Sequence, residues 1–226
     1  MADHKMPTVF EKIVRSRRSV RGFLPDPVDR KTLEKVFALA QTAPSNCNTQ
    51  PWHVHVASGA IAGQIKQRLA EAVAKGDLAM DFPYSGKYEG EYKKRQYDAA
   101  AQLFSAMGVA REDKAGRNMA FFRNFEFFGA PHAAFLFLPE EFGIREAADV
   151  GMYAQNLMLA LTAFGIASCP QTALSFQAHA VREILQVPQE MKLLFGISFG
   201  YEDVNIAANR ARVGREPVAE LVTFHE

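Results

Sequence analysis

The segment that most constrains the fold is a long apolar stretch at residues 147–168, AADVGMYAQNLMLALTAFGIAS. Asp149, Gln155 and Asn156 interrupt it, so its uninterrupted apolar run is too short to span a bilayer. A helix that is apolar nearly all round must be covered by protein on most of its sides. We therefore predict a buried helix over this segment, at the centre of a fold or of a dimer.

Shorter patterns on either side predict a mixed architecture. Apolar residues recur at helical spacing in several further segments, near 8–16, 30–42, 60–75, 90–107, 113–128 and 175–186. Apolar alternation predicts single strands near 53–58 and in the stretches HAAFLFL and LLFGISFG. Because helices separate these strands, the pattern favours an α/β or α+β layer fold with one modest sheet.

The composition excludes several classes of partner. The 226 residues suffice to bury a core, and a formal net charge of +1 creates no field that attracts nucleic acid or anionic lipid. Two cysteines do not make a disulfide framework, and the N-terminus lacks the apolar core of a signal peptide. We therefore expect a cytoplasmic protein with no nucleic-acid partner and no membrane partner.

Two arginine clusters lie near opposite ends of the chain. They are RSRRSVRGF, with Arg15, Arg17, Arg18 and Arg21, and NRARVGREP, with Arg210, Arg212 and Arg215. The first is either a solvated basic helix end or an anion site, since guanidinium groups bind phosphate bidentately. If the clusters converge, they can hold one phosphate. The sequence has no G-x-G-x-x-G or G-x-x-x-x-G-K motif, which disfavours the usual dinucleotide-binding fold.

The loop APSNCNTQP at 43–51 is rich in hydroxyl and amide side chains. It joins a predicted helix to a predicted strand, and a plain connection needs only a few turn residues. We interpret it as a loop that contacts a polar group.

The histidines and cysteines near this loop suggest neither a metal site nor a nucleophile. His53 and His55 share one face of a predicted strand, but a third ligand is not evident nearby, so no metal is expected. Cys47 and Cys169 lie in predicted polar loops and are interpreted as small packing residues.

The stretch MAFFRNFEFFGAP places Phe121, Phe125 and Phe128 on one face of a predicted helix. Packing in the core or against another subunit is the default interpretation. An aromatic wall beside a planar ligand is the alternative.

Three separated stretches resemble the FMN-dependent nitroreductase family. They are RRSVRGFLPDPV with AQTAPSNCNTQPWHVHV, then YAQNLMLALTAFGIASCPQTAL, then FGISFGYED with NRARVGREPVAELV. Together they cover nearly the whole chain in order. The resemblance implies an α+β fold, a mostly antiparallel sheet wrapped by helices, in a single domain over 1–226 with a variable helical lid around 76–128. It also implies an intertwined homodimer with FMN at the subunit interface.

The resemblance further implies which residues bind FMN. The segment that holds the ribityl phosphate and part of the ring is matched by Arg17, Arg18 and Ser19, and a basic position near the pyrimidine edge by Arg21. The loop that reaches the flavin of the other subunit is matched by Pro44, Ser45, Asn48 and Gln50. A loop past the flavin N5 is matched by Pro170, Gln171 and Thr172, and the phosphate-gripping tail by Arg215, with Arg212 as a helper.

The implied activity is the reduction of nitroaromatics or quinones by NADH or NADPH, in a ping-pong scheme of hydride transfer. FMN carries the chemistry in this scheme, so no side chain is predicted to be catalytic; a cation such as Arg21 near the ring stabilises its reduced state. Tyr84, Tyr88, Glu91 and Tyr92 are candidates for a substrate lid, and an exposed amphipathic helix is the alternative. Alternative functions are reductive dehalogenation, a flavin-consuming reaction on the same fold, or FMN binding without catalysis.

Overall fold

The computed structural model describes residues 5–226 of the chain. Its helices are α1 (Lys5–Ser16), α2 (Arg30–Ala40), α3 (Gly59–Ala74), α4 (Gly90–Met107), α5 (Lys114–Phe122), α6 (Ile144–Ala163), α7 (Ala178–Leu185) and α8 (Val218–Leu221). Its strands are β1 (His53–Ser58), β2 (His132–Pro139), β3 (Ala167–Gln171) and β4 (Met191–Gly200). Short 3₁₀ turns occupy Asn46–Asn48, Phe127–Gly129, Thr172–Ser175 and Ala207–Arg210.

The strands form one antiparallel sheet in the order β1-β2-β4-β3, with helices on both faces. Every residue of β2 is buried, and successive side chains of a strand point to opposite faces. One apolar cluster contains Ala133, Phe135 and Phe137 of β2 with α3 and α7, and the other contains Ala134, Leu136 and Leu138 with α2 and α6. The predicted fold class, an antiparallel sheet wrapped by helices, is confirmed.

Helix α6 is the long apolar helix, but it begins and ends earlier than the predicted 147–168. The carboxylate of Glu146 accepts a hydrogen bond of 3.0 Å from the N–H of Gly143, which caps the start at Ile144. Gly165 takes a φ of 73°, a conformation that favours glycine and stops the helix. Among residues 5–226, no helix has the length and apolarity needed to cross a membrane.

Strand β3 lies where the sequence predicted the end of a helix and a loop. Ala167 and Pro170 are residue types depleted in strands, so local propensity gave no strand signal. Pairing with β4 decides the conformation, from Ala167 opposite Gly200 to Gln171 opposite Gly196. Pro170 is tolerated because β3 is an edge strand of the sheet. The predicted loop through Pro170 and Gln171 is therefore wrong, and only Thr172 follows the strand.

Helix α5 ends at Phe122, so the predicted helix over 113–128 is wrong beyond that residue. Phe127 and Phe128 take φ values of 56° and 55°, which are left-handed and incompatible with a continued helix. Phe125, Phe127 and Phe128 are all buried in the core. Their burial compensates for the strained backbone. The predicted shared helix face of Phe121, Phe125 and Phe128 is wrong, because only Phe121 lies in α5.

Candidate active site

An extended strap at residues 17–24 leads from α1 along the edge of the sheet. Ser19 forms a parallel bridge with Ser168 of β3, and the N–H of Val20 donates to the carbonyl of Ser168 at 3.0 Å. Further along, the N–H of Leu24 donates to the carbonyl of Tyr201 at 2.9 Å. Val20 is buried, which anchors the strap. This pairing places the first arginine cluster beside β3 and the end of β4.

The C-terminal tail returns to the same strap. After β4, the N–H of Asp203 donates to the carbonyl of Gly22 at 3.1 Å. The chain then passes through the 3₁₀ turn Ala207–Arg210 into an extended stretch that carries Arg212 and Arg215. The two arginine clusters, whose relative position the sequence left open, are therefore brought together.

Arg17 and Arg215 are close enough to repel each other. Burial lowers the pKa of the half-buried Arg17 guanidinium, and the positive charge of Arg215 lowers it further. Neither residue forms an ion pair with a carboxylate among the described residues. Two adjacent cations without a counterion form a favourable position for an anion.

Arg18 is engaged differently from its neighbours. Its Nη2 donates to both carboxylate oxygens of Glu202, at 2.5 and 2.6 Å. Its Nη1 is buried and has no hydrogen-bond partner among the described residues. The charge of Arg18 is thus partly neutralised by Glu202, and one of its donors is buried without a partner.

Beneath the strap lies the thiol of Cys169. Burial raises the pKa of Cys169 to about 11, although Arg21, a hydrogen bond from Ser19 and Arg17 all act in the opposite direction. Cys169 is therefore a neutral packing group at physiological pH. Because Arg17, Ser19 and Arg21 all act on the Cys169 thiol, the three residues lie together beside β3.

Several side-chain hydrogen bonds hold the polar loop at residues 44–50. The Oγ of Ser45 accepts from the N–H of Gln50 at 2.9 Å, and the N–H of Asn46 donates to Oδ2 of Asp149 at 3.0 Å. Left-handed φ values of 49°, 58° and 47° occur at Cys47, Asn48 and Gln50.

The predicted flavin contacts Pro44, Asn48 and Gln50 of this loop are exposed, while Ser45 is half-buried. Asp149, the carboxylate that anchors the loop from α6, was not identified from the sequence. The available signal was the one acidic residue in the apolar stretch 147–168.

Gln171 faces the core rather than a ligand. Its Nε2 donates to the backbone carbonyl and to Oδ1 of Asn124, at 3.0 and 3.2 Å, and its Oε1 accepts from the hydroxyl of Ser198. The side chain is 4% exposed, so its amide is fully used inside the protein. Its neighbours Pro170 and Thr172 are exposed at the surface.

The predicted lid region contains α4 and α5, and its candidate residues Tyr84, Tyr88, Glu91 and Tyr92 are exposed. A hydrogen bond with Tyr88, together with burial, raises the pKa of the Tyr84 hydroxyl. Arg95 of α4 pairs with Glu216 of the tail at 3.0 Å, next to Arg215. The lid segment therefore contacts the tail, and its role as a lid stays a prediction.

A separate groove of about 310 Å³ lies between α2 and β1. It contains none of the predicted cofactor residues; Leu33, Phe37, Trp52, Val54, Val56 and Tyr153 form most of its lining. β1 is an edge strand, so this groove borders unpaired backbone groups.

The helix-wrapped antiparallel sheet, with two arginine-bearing ends meeting beside it, defines an α+β protein with a cationic surface suited to an anionic ligand. Residues 14–201 match the model of the nitroreductase family. The chain belongs to this family, and the membership and enzyme class predicted from the sequence are confirmed.

Comparison with individual proteins gives the same result. The chain is 46% identical to the nitroreductase NfnB of Mycolicibacterium smegmatis over 218 residues, covering 95% of this chain and 92% of that protein. It is 32% identical to a 4-nitrobenzoate reductase of Pseudomonas putida over 220 residues, covering 95% of both chains. The crystal structure of the FMN-dependent nitroreductase NfnB from Mycobacterium smegmatis in complex with NADPH superposes with a TM-score of 0.94 at 44% identity, covering 98% of this chain and 100% of that one.

Proposed function

We propose that this protein is an FMN-dependent oxidoreductase that uses NADPH to reduce nitroaromatic compounds or quinones. The observation that carries the proposal is the meeting of Arg17 and Arg215 in a chain of the nitroreductase family. The similar nitroreductase of Mycobacterium smegmatis is described as FMN-dependent and in complex with NADPH, which favours NADPH over NADH as the donor here. The similar reductase of Pseudomonas putida acts on 4-nitrobenzoate.

The arginine-bearing ends hold the phosphate in this proposal. Arg17 and Arg215 supply the charge, Ser19 adds a hydroxyl donor, and the exposed Arg212 extends the cationic surface. Charge-assisted hydrogen bonds of this kind contribute about 1.5–3 kcal/mol each. Arg18 supports this segment through its ion pair with Glu202.

In this proposal, the isoalloxazine ring of FMN is positioned by the strap, the loop at 44–50 and the end of β3. Arg21 provides a cation near the pyrimidine edge, and the loop at 44–50 provides amide and hydroxyl groups. Pro170 and Thr172 border the ring beside β3, whereas Gln171 contributes only through its backbone because its side chain is buried. When bound, FMN accepts and donates the hydride; the chain itself binds, orients and leaves one ring face open for nicotinamide and acceptor in turn. No side chain is assigned a catalytic role.

We propose a homodimer in which the loop at 44–50 completes the FMN site of the other subunit. Within one chain, the hydrogen bonds of this loop run to itself, to Gln41 at the end of α2 and to α6. Those of the strap run to β3, to the 3₁₀ turn Phe127–Gly129 and to the segment that follows β4. The tail also exposes a dense set of apolar side chains, Val213, Val218, Leu221, Val222 and Phe224. Such sets are typical of surfaces that another chain covers, and the groove between α2 and β1 is a second surface of this kind.

We further propose a single domain, whose segment 76–128, including Tyr84, Tyr88, Glu91 and Tyr92, covers the bound acceptor as a lid. The two free cysteines, Cys47 and Cys169, suit a reducing compartment such as the cytoplasm.

Anaerobic reduction of the FMN-loaded protein tests this function. NADPH should bleach the flavin absorbance, and a nitroaromatic or quinone added afterwards should restore it. A protein that binds FMN without bleaching would be a carrier or sensor instead of a reductase. Restoration by a halogenated phenol with halide release, and not by a nitroaromatic or quinone, would favour the dehalogenase alternative.

A further inference from the structure

The meeting of the two arginine-bearing ends needs a structural cause. Arg17 and Arg215 repel each other, so neither cation draws the strap and the tail together. A site that is preformed before its ligand arrives requires contacts that hold both segments in place. Asn209 makes those contacts, from the 3₁₀ turn that precedes Arg212 and Arg215 in the tail.

Asn209 is 4% exposed and bonds both segments through one amide group. Its Oδ1 accepts from the N–H of Arg21 at 2.7 Å. Its Nδ2 donates to the carbonyls of Gly22 and Asp203, both at 2.8 Å. Both N–H groups of the side-chain amide donate hydrogen bonds. The orientation of the amide is fixed, because its oxygen faces a donor and its nitrogen faces two acceptors.

Packing around this amide holds the strap and the tail in direct contact. A Cβ added at Gly22 would lie 2.5 Å from the Cβ of Ile206, so only glycine fits there. The backbone carbonyl of Asn209 also accepts from Nη1 of Arg212 at 2.7 Å. The stretch that leads to Arg215 therefore starts from a residue locked onto the strap.

We propose that Asn209 is a positioning residue that holds Arg17 and Arg215 as a preformed site for the phosphate of FMN. The inference rests on the proposed function. It makes a specific demand: the loss of Asn209 must weaken recognition of the phosphate more than recognition of the isoalloxazine ring, which loses only the support that Asn209 gives to the backbone of Arg21. A residue that only stabilised the fold would affect both alike.

The test compares FMN with riboflavin, which has the same ring and no phosphate. The variants are Asn209→Ala and the milder Asn209→Gln, which keeps the amide but displaces it by one methylene. Asn205→Ala is the matched control, since Asn205 is an exposed asparagine of the same tail whose backbone N–H donates to Oδ1 of Asp203. Flavin-free protein is titrated with each flavin, and hydrogen exchange is followed at the amides of Arg21 and Asp203 before flavin is added.

Asn209→Ala should weaken FMN binding about tenfold, the equivalent of weakening one charge-assisted hydrogen bond, while riboflavin binding weakens less, because riboflavin has no phosphate and senses only the change at Arg21. Exchange at Arg21 and Asp203 should speed up in the flavin-free variant, and Asn205→Ala should match the parent in every measurement. If Asn209→Ala does not fold, Asn209→Gln should still lower the ratio of FMN to riboflavin affinity.

Two results would overturn the role of Asn209. One is an unchanged affinity for FMN, and the other is an equal loss for FMN and riboflavin. Failure of the parent protein itself to bind FMN would instead reject the proposed function, so the two failures are distinguishable.

Discussion

Arg17 and Arg215 come from opposite ends of the chain, yet the charge of Arg215 lies close enough to lower the pKa of the Arg17 guanidinium. Two like charges held together without a carboxylate between them are unfavourable by themselves. The arrangement is explained if both residues bind one dianionic phosphate, which converts the repulsion into attraction. The predictions below begin from this pair.

Arg215→Ala should weaken FMN retention by about 1.5–3 kcal/mol, the value of a charge-assisted hydrogen bond. Flavin released on dilution, followed by fluorescence, measures the effect. Arg210→Ala is the matched control, since Arg210 is an exposed arginine of the same tail. An Arg215→Ala variant that retains FMN as firmly as the Arg210→Ala variant would remove Arg215 from the phosphate site.

Asp149→Leu should release the loop at 44–50, because the N–H of Asn46 loses its acceptor while left-handed residues in the loop remain strained. We expect a loss of about 1 kcal/mol in the free energy of unfolding, measured by urea denaturation. Asp149→Asn is the control, as its amide oxygen can still accept from Asn46. Equal losses in the two variants would show that the charge, and not the hydrogen bond, matters.

The buried His132 predicts a loss of stability in mild acid. Its Nε2 accepts from the N–H of Val28 at 2.9 Å, so the ring is neutral with its proton on Nδ1, which lies 2.6 Å from the Oγ of Ser58. Burial lowers the pKa of His132 below its unfolded value of about 6.5. The unfolded chain therefore binds more protons as the pH falls below about 6.5, and this contribution to stability is lost from there down to the folded pKa.

Urea denaturation at about pH 7.5 and 5.5 measures this effect. His132→Gln should reduce the difference between the two pH values, because glutamine offers Val28 an acceptor that does not titrate. Part of the difference should persist, since burial and then His53 lower the pKa of His55 as well. An equal difference in the His132→Gln variant and the parent would contradict the assignment.

The ion pair between Asp81 and Arg182 anchors the start of the predicted lid to α7. Both side chains are largely buried, and Oδ2 of Asp81 also accepts from the N–H of Leu193 at 2.7 Å. Asp81→Ala should cost about 3–5 kcal/mol, because it leaves the buried guanidinium uncompensated.

A double variant, Asp81→Leu with Arg182→Met, separates this effect from lost packing. It should recover much of the stability, since a buried pair replaced by apolar residues is often neutral. Urea denaturation of the three proteins checks the order, and a double variant less stable than Asp81→Ala would contradict this explanation.

The sequence predicted elements whose patterns are local and strong. β2 was predicted from its short apolar stretch, and α6 was predicted from its long one, because both patterns are visible within the segment itself. β3 was not found, because Ala167 and Pro170 become a strand only through pairing with β4. The end of α5 was missed because the burial of Phe125 and Phe127 outweighs helix propensity at that point.

The candidate site follows the same division. Its arginines and its polar loop are visible in the sequence as clusters of residue type. The residues that position them are not, because Asp149, Asn209 and Glu202 act through contacts with distant segments. The burial of the Gln171 side chain was not predicted for the same reason, since its partners Asn124 and Ser198 are far from it in sequence.

The most direct test of the central claim is a crystal structure of the protein loaded with FMN. The account predicts the phosphate within hydrogen-bonding distance of both Arg17 and Arg215 of one subunit, with the loop at 44–50 of a second subunit against the ring. FMN bound elsewhere, or a phosphate contacted by neither arginine, would contradict it.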